Sequence, residues 1–156
     1  MSAYHIECEI EIDAPIEVVW RTITEPTLIQ QWFSDGVDLE VRSGALGTLT
    51  FCPENAEEPS VAEVTVVDVD PPYLFSYRWD YPAGVRATEE NSLLVTFTLI
   101  RQGAASTLFR VVETGLEQLD WPGAKKQDYA ADHTRGWQFH AGRLANLDFV
   151  DFKSPQ

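Results

Sequence analysis

Gly136-Trp137-Gln138-Phe139-His140-Ala141-Gly142-Arg143-Leu144-Ala145-Asn146-Leu147 is the stretch whose reading decides the fold. It sits in a segment from about Asp128 to Val150 that no proline interrupts. Large or apolar side chains recur there at helical spacing: Tyr129, His133, Trp137, His140 or Ala141, Leu144, and Leu147 or Asp148. At about 1.5 Å per residue such a segment forms a rod of about 33 Å, enough to cross a small domain. It is the one long helix that the pattern predicts. Strand-like runs dominate what precedes it, so the expectation is a sheet wrapped around this helix, with function seated between the two.

Working outward, Tyr4 to Ile12 alternates, with Ile6, Cys8, Ile10 and Ile12 opposite His5, Glu7, Glu9 and Glu11, and reads as a half-buried strand. Asp13-Ala14-Pro15 stops it; Asp13 suits a cap and Pro15 a first helical turn. Two short helices are predicted next, Ile16 to Thr24 and, after Glu25-Pro26, Thr27 to Phe33 with Leu28, Ile29, Trp32 and Phe33 on its apolar side. Strands are predicted over Val37–Val41, Thr48–Cys52, Val61–Val69, Tyr73–Trp79, Leu93–Arg101 and Ser106–Thr114. Gly115 to Gln127 reads as an irregular link into the long helix. Strands in direct succession imply hairpins and an antiparallel sheet, and segregated helices make the class α+β.

The 156 residues favour one domain, 1–156, and can bury a substantial core without staples. Aromatic residues reach 12%, five of them Trp, more than a minimal core needs. The formal charge of −14 repels phosphate backbones and anionic lipids, which argues against nucleic-acid binding. Cys8 and Cys52 stand in strand-like runs and read as small buried thiols, with no CxxC and no zinc spacing. The N-terminus lacks the pattern of a signal peptide, and no apolar run is long enough to span a membrane; a cytoplasmic protein is the expectation.

Several stretches together resemble one family. Ile12-Asp13-Ala14-Pro15-Ile16-Glu17-Val18-Val19-Trp20 resembles its opening, and Thr24-Glu25-Pro26-Thr27-Leu28-Ile29-Gln30-Gln31-Trp32-Phe33 its second helix. Asp70-Pro71-Pro72 with Phe75-Ser76-Tyr77-Arg78-Trp79, then Glu113-Thr114-Gly115-Leu116, then Gly136-Trp137 with Leu144, follow in the same order. The chain is thereby identified as a member of the ninety-kilodalton heat-shock protein ATPase activator-like group of the START-like (SRPBCC, helix-grip) superfamily. The resemblance implies a curved antiparallel sheet of about six to seven strands gripping the C-terminal helix, with a deep cavity between them. Members of the superfamily bind lipids, hormones or polyketides, and a few are cyclases, dehydratases or hydrolases. The co-chaperone behind the group's name has an additional N-terminal domain, whereas this chain starts directly at the first strand.

On that fold the ligand-binding candidates are Trp32, Phe51, Phe75, Tyr77, Trp79, Phe97, Phe109, Trp137, His140, Ala141 and Leu144. In the family the position of Ala141 is often a larger aliphatic residue, so a small one implies a roomy cavity. The competing reading is that these aromatics simply fill a core. Apolar walls with a few polar groups are the usual make-up of a small-molecule site. His140 is a candidate ligand contact or general base, or else a buried neutral imidazole bonded to a tyrosine or a backbone carbonyl. Glu113, at the edge of the apolar face, is a candidate acid or base with a raised pKa, or else a strand-end carboxylate paired with arginine or water. Tyr77 is a candidate polar handle, and Arg110 and Arg143 are expected to bridge acidic neighbours. His133 is expected at the rim and His5 in solvent. Asp128, Asp132 and His133 could be imagined as metal ligands, but helix capping accounts for them better. No metal and no cofactor is expected, and no nucleophile, phosphate-loop or metalloprotease motif is present.

The expected function is binding of a small hydrophobic molecule in the cavity. The alternatives are a cyclase, dehydratase or hydrolase using that cavity with His140, Glu113 and Tyr77, and a protein-interaction role. A homodimer and a chaperone are the other candidate partners, with Trp121 or Phe152 as exposed anchors for a dimer.

Overall fold

Strand β1 (Ile6–Ile12) opens the computed structural model, which describes residues 4–52, 58–82 and 84–149. Ile6 and Ile12 are buried while its glutamates face outward, as period-two alternation demands. Helix α1 (Ile16–Thr24) has Pro15, not Asp13, at its N-cap and carries no side-chain cap there. Its buried face is Ile16, Val18, Val19 and Ile23. Helix α2 (Pro26–Ile29) is a single turn, shorter than predicted. Helix-type bonding persists one step further, from the Phe33 amide to the Ile29 carbonyl at 2.9 Å. Trp32 and Phe33 are thereby turned inward, and both are buried.

Six strands follow: β2 (Gly36–Asp38), β3 (Leu46–Phe51), β4 (Ser60–Asp70), β5 (Leu74–Trp79), β6 (Leu93–Gly103) and β7 (Ser106–Thr114). The sheet is antiparallel throughout, in the order β1-β7-β6-β5-β4-β3-β2. Sequential hairpins explain the run from β2 to β7, and β1 closes it by pairing Ile6 to Glu113 and Ile12 to Thr107. At the exit of β7, Gly115 adopts φ +117, and a Cβ there would lie 3.2 Å from the Ser92 carbonyl. Only glycine suits that left-handed close approach.

Helix α3 (Gly123–Ala145) lies against β1 and across the concave side of the curved sheet, as the helix-grip expectation requires. It begins earlier than periodicity suggested, because Pro122 is its N-cap and not part of an irregular link. Asp128 and Asp132 therefore sit within the helix rather than capping it. Asp132 faces Arg135 at 3.8 Å on the exposed side.

The core joins Phe75, Tyr77, Trp79, Phe97 and Phe109 from the sheet to Trp32 and Phe33 below α2 and to Trp137, Ala141 and Leu144 on α3. Cys52 is exposed and Cys8 half-buried, so neither is the fully buried thiol expected; both side chains stand near the sheet's edges. Trp121 is half-buried, set edge-on to Tyr129 with the Lys125 ammonium over its ring, and Phe152 lies outside the described residues. Among the described residues, no helix is long and apolar enough to cross a membrane.

Candidate functional site

The predicted ligand-binding side chains do converge between sheet and α3, but they pack against one another. Trp79 and Trp137 stack with centroids 5.8 Å apart, Phe33 stacks on Trp137 at 5.2 Å, and Phe97 meets Trp32, Phe109 and Trp137 within 6 Å. Offset and edge-on ring pairs of this kind add about 0.5–1.5 kcal/mol each beyond the area they bury. What space remains is a void of about 10 Å³ lined by residues including Trp32, Phe33, Leu49, Phe75, Tyr77 and Phe97. That is room for about one water molecule. Ala141 and Leu144 are buried but not on its wall; this void lies toward the α2 segment rather than beside Ala141. A wider groove of about 660 Å³ lies elsewhere, among Gly44, Glu63, Arg78, Tyr81 and Arg86.

Tyr77 is fully buried on the wall of that void, and its hydroxyl is the buried side-chain polar atom without a hydrogen-bond partner among the described residues. Leaving such a group unsatisfied costs about 1–3 kcal/mol. Burial, with the nearby charges of Glu113 and Asp80, pushes its phenol well above the usual range.

His140 takes the bland alternative. Its Nδ1 stands 3.2 Å from the Trp32 carbonyl, its ring is edge-on to Phe33, and burial lowers its basicity. It fastens α3 to the segment below α2. Arg143 likewise donates to the Gln31 carbonyl at 3.1 Å rather than to an acid, whereas Arg110 does pair with Glu7.

Glu113 matches neither expectation. It pairs with no arginine among the described residues, and its carboxyl is lowered rather than raised. Its side chain is wholly buried, and four groups aim protons at it. Oε2 accepts from the Trp79 indole at 2.9 Å and the Tyr129 hydroxyl at 2.5 Å. Oε1 accepts from the Trp137 indole and His133 Nδ1, both at 2.9 Å. Burial opposes the charge, yet the bonds from His133, Tyr129 and Trp137 outweigh it and hold the carboxyl below its ordinary range. Conversely, burial opposes the His133 imidazolium, but the Glu113 carboxylate raises its pKa overall. Each of the two groups thus favours the charged form of the other.

Asp80 completes the cluster. It follows β5 with φ +62, a left-handed conformation that Asp and Asn tolerate better than most residues. Its carboxylate meets the same Tyr129 hydroxyl that bonds Glu113. Tyr129 stacks on His133 with centroids 3.7 Å apart, fixing both rings. Donor atoms of Asp80, Glu113 and His133 all lie within 4.8 Å of one another. Asp80 and Tyr129 escaped the reading of the sequence, and His133 was placed only at the rim. Helical spacing does put Tyr129, His133 and Trp137 on one face, four residues apart, which was the available signal. Asp80 gave none, because it sits in a loop turn.

Similarity to known proteins agrees with this architecture. Protein MLL2253 from Mesorhizobium loti shares 22% identity with a TM-score of 0.72, over 97% of this chain and 99% of that one. BH1534 from Bacillus halodurans shares 27% identity with a TM-score of 0.64, over 90% and 94%. Aha1 from Colwellia psychrerythraea, solved in solution as a dimer, shares 15% identity with a TM-score of 0.69, over 91% and 93%. No protein of curated function matches the chain. The model of the family described as activator of Hsp90 ATPase homolog 1-like protein matches residues 13–147, and the chain belongs to that family.

Proposed function

We propose that this protein binds a small, largely apolar molecule bearing one hydrogen-bonding oxygen, in the interior between the sheet and the segment below α2. The observation that carries this reading is the Tyr77 hydroxyl, buried, unpartnered and on the wall of an apolar void. A ligand oxygen would satisfy it, and the surrounding aromatic rings would bury the rest of the molecule. The void of about 10 Å³ must enlarge, and the wall best suited to yield is the single-turn α2 with Ile29, Trp32 and Phe33. Its hydrogen bonds to α3 run from His140 and Arg143 to backbone carbonyls, and its other ties to α3 are ring contacts of Phe33 with Trp137 and His140. The acidic surface, with a formal charge of −14, favours uncharged ligands over anions.

Native mass spectrometry of the purified protein, with extraction of whatever co-purifies, tests the reading. Thermal shift with fatty alcohols, alkyl ketones and naphthols as probes supplements it. Saturating ligand at about a hundred times Kd stabilises by about 2.7 kcal/mol, and Tyr77→Phe is expected to lower the affinity. Empty protein with no response to any probe, or a void holding one ordered water in a high-resolution crystal structure, overturns it.

A further inference from the structure

The polar cluster around Glu113, joined to the void through the contact of Trp79 with Tyr77, has a definite count of protons. Glu113 has four lone-pair positions, and four donors occupy them: two indoles, one imidazole and one phenol. Tyr129 owns a single hydroxyl proton, yet its oxygen is in hydrogen-bond contact with both Glu113 Oε2 and Asp80 Oδ2. If that proton goes to Glu113, the contact with Asp80 is oxygen against oxygen. It becomes a bond only when Asp80 carries a proton and donates to the phenol.

We propose that Asp80, Tyr129 and Glu113 share one proton more than the three groups would hold apart, and that the protonated Asp80 is the donor for the carbonyl oxygen of a small uncharged ligand. The groups facing Asp80 agree. From α3 these are Tyr129 and His133, with Asp132 acting on His133; from β7 it is Glu113. Lys125 is engaged over Trp121, one ring removed from Tyr129. Burial and the Glu113 charge both favour the neutral form of Asp80, against the pull of Tyr129 and His133. Enclosed on the cluster side, Asp80 is still the most solvent-accessible of Asp80, Glu113 and His133, so an incoming oxygen can take its proton-donating bond while Tyr129 keeps its bond to Glu113. A second observation points to a ligand at this end of the interior. The unpartnered Tyr77 hydroxyl belongs to a ring set edge-on, 5.4 Å between centroids, to the Trp79 indole that donates to Glu113. A divalent cation is the rival occupant, but two of Glu113's positions belong to indole N–H groups that cannot be given up. A cation bound to one Glu113 oxygen would have to take the place there of either the Tyr129 hydroxyl or the His133 nitrogen. The proposal rests on the interior reading for where the ligand sits, and not for the proton.

Infrared spectra at neutral pH, with acetophenone as the probe, test both halves. The carbonyl stretch of a protonated carboxylic acid is expected in the unmodified protein and should vanish in Asp80→Asn and weaken in Tyr129→Phe. Asparagine tolerates the left-handed φ, so Asp80→Asn should keep the fold, checked by near-ultraviolet circular dichroism. Bound acetophenone is expected to show a carbonyl band shifted to lower frequency, and the shift should be lost in Asp80→Asn. No acid band in the unmodified protein overturns the proposal, as does an unshifted carbonyl band in bound probe. Stoichiometric binding of Zn²⁺ or Mn²⁺ that Asp80→Asn abolishes overturns it in favour of a metal site. Absence of acetophenone binding with the acid band intact counts against the interior ligand reading, and overturns the ligand half of the proposal while the shared proton stands.

Discussion

Replacing Glu113 by glutamine should destabilise the protein by about 3–5 kcal/mol, the usual cost of breaking a buried charge pair by removing one partner. The geometry explains why the cost cannot be evaded. Glutamine keeps one acceptor oxygen and substitutes an NH₂ for the other. Tyr129 and His133 can each reverse roles and accept from that NH₂. An indole N–H cannot, and Trp79 bonds one carboxylate oxygen while Trp137 bonds the other. Whichever way the amide points, one indole faces a donor. That orphaned buried N–H costs about 1–3 kcal/mol, and the weakening of charge-assisted bonds to neutral ones adds about as much again. Urea unfolding at 25 °C, followed by tryptophan fluorescence, should show the midpoint falling with the slope unchanged. Trp79→Phe in the Glu113→Gln background should recover part of the loss, because it removes one possible orphan. A loss below about 1 kcal/mol, or no recovery in the double variant, would refute Glu113 as the clasp between sheet and helix.

The ion pair also fixes a pH profile. Glu113 titrates below its unfolded value of 4.5, so its contribution is complete above 4.5 and fades as pH falls through the folded value. His133 titrates above 6.5, so its contribution is complete below 6.5 and fades as pH rises through its folded value. Stability measured by denaturant midpoint should therefore peak between pH 4.5 and 6.5, and His133→Phe should flatten the alkaline side. Tyr77→Phe should raise the stability of ligand-free protein by about 1 kcal/mol or more, since it removes an unsatisfied buried hydroxyl; a drop in midpoint would mean that the hydroxyl has a partner. Ala141→Leu should cost about 1–3 kcal/mol in the same assay, because the void toward α2 is not on its side of the core; a gain would restore the roomier cavity.

Much of the fold was legible because its signals are local. Alternation marked all seven strands of the sheet, even where β2 proved to be three residues long. The helical period found α3 but set it some five residues late at both ends: Pro122-Gly123 reads equally as a loop or as a helix entry, and the helix stops at Ala145 although apolar spacing runs on to Leu147. The interior was legible as a set of residues but not as a volume. Whether a dozen rings leave a cavity or stack shut depends on rotamers and on the seat of the α2 segment, and no periodicity encodes either. The cluster was half legible. Glu113 was singled out for the direction it faces, but the sign of its pKa shift was misjudged, because one of its four donors comes from β5 and the other three from α3, both distant from it in sequence.

The stretches that carried the family resemblance now divide by role. Trp79, Glu113 and Trp137 each stand in one of those stretches, far apart in sequence, and both indoles donate to the Glu113 carboxylate. Glycine after Thr114 turns the chain where no side chain fits, at the same junction. The resemblance thus rests in large part on a clasp that holds α3 to the sheet, which accounts for its power to report fold and its silence on chemistry. Asp80, Tyr129 and His133 lie outside the quoted stretches and attach to the clasp from the solvent side. Protonated, Asp80 offers the phenol oxygen one neutral donor, which the NH₂ of an asparagine also offers. Exchanging Asp80 for asparagine should therefore leave stability unchanged or raise it slightly, by up to about 1 kcal/mol, while Glu113→Gln lowers it severely. Equal losses at the two positions would make Asp80 part of the brace; the expected split would place it with the chemistry.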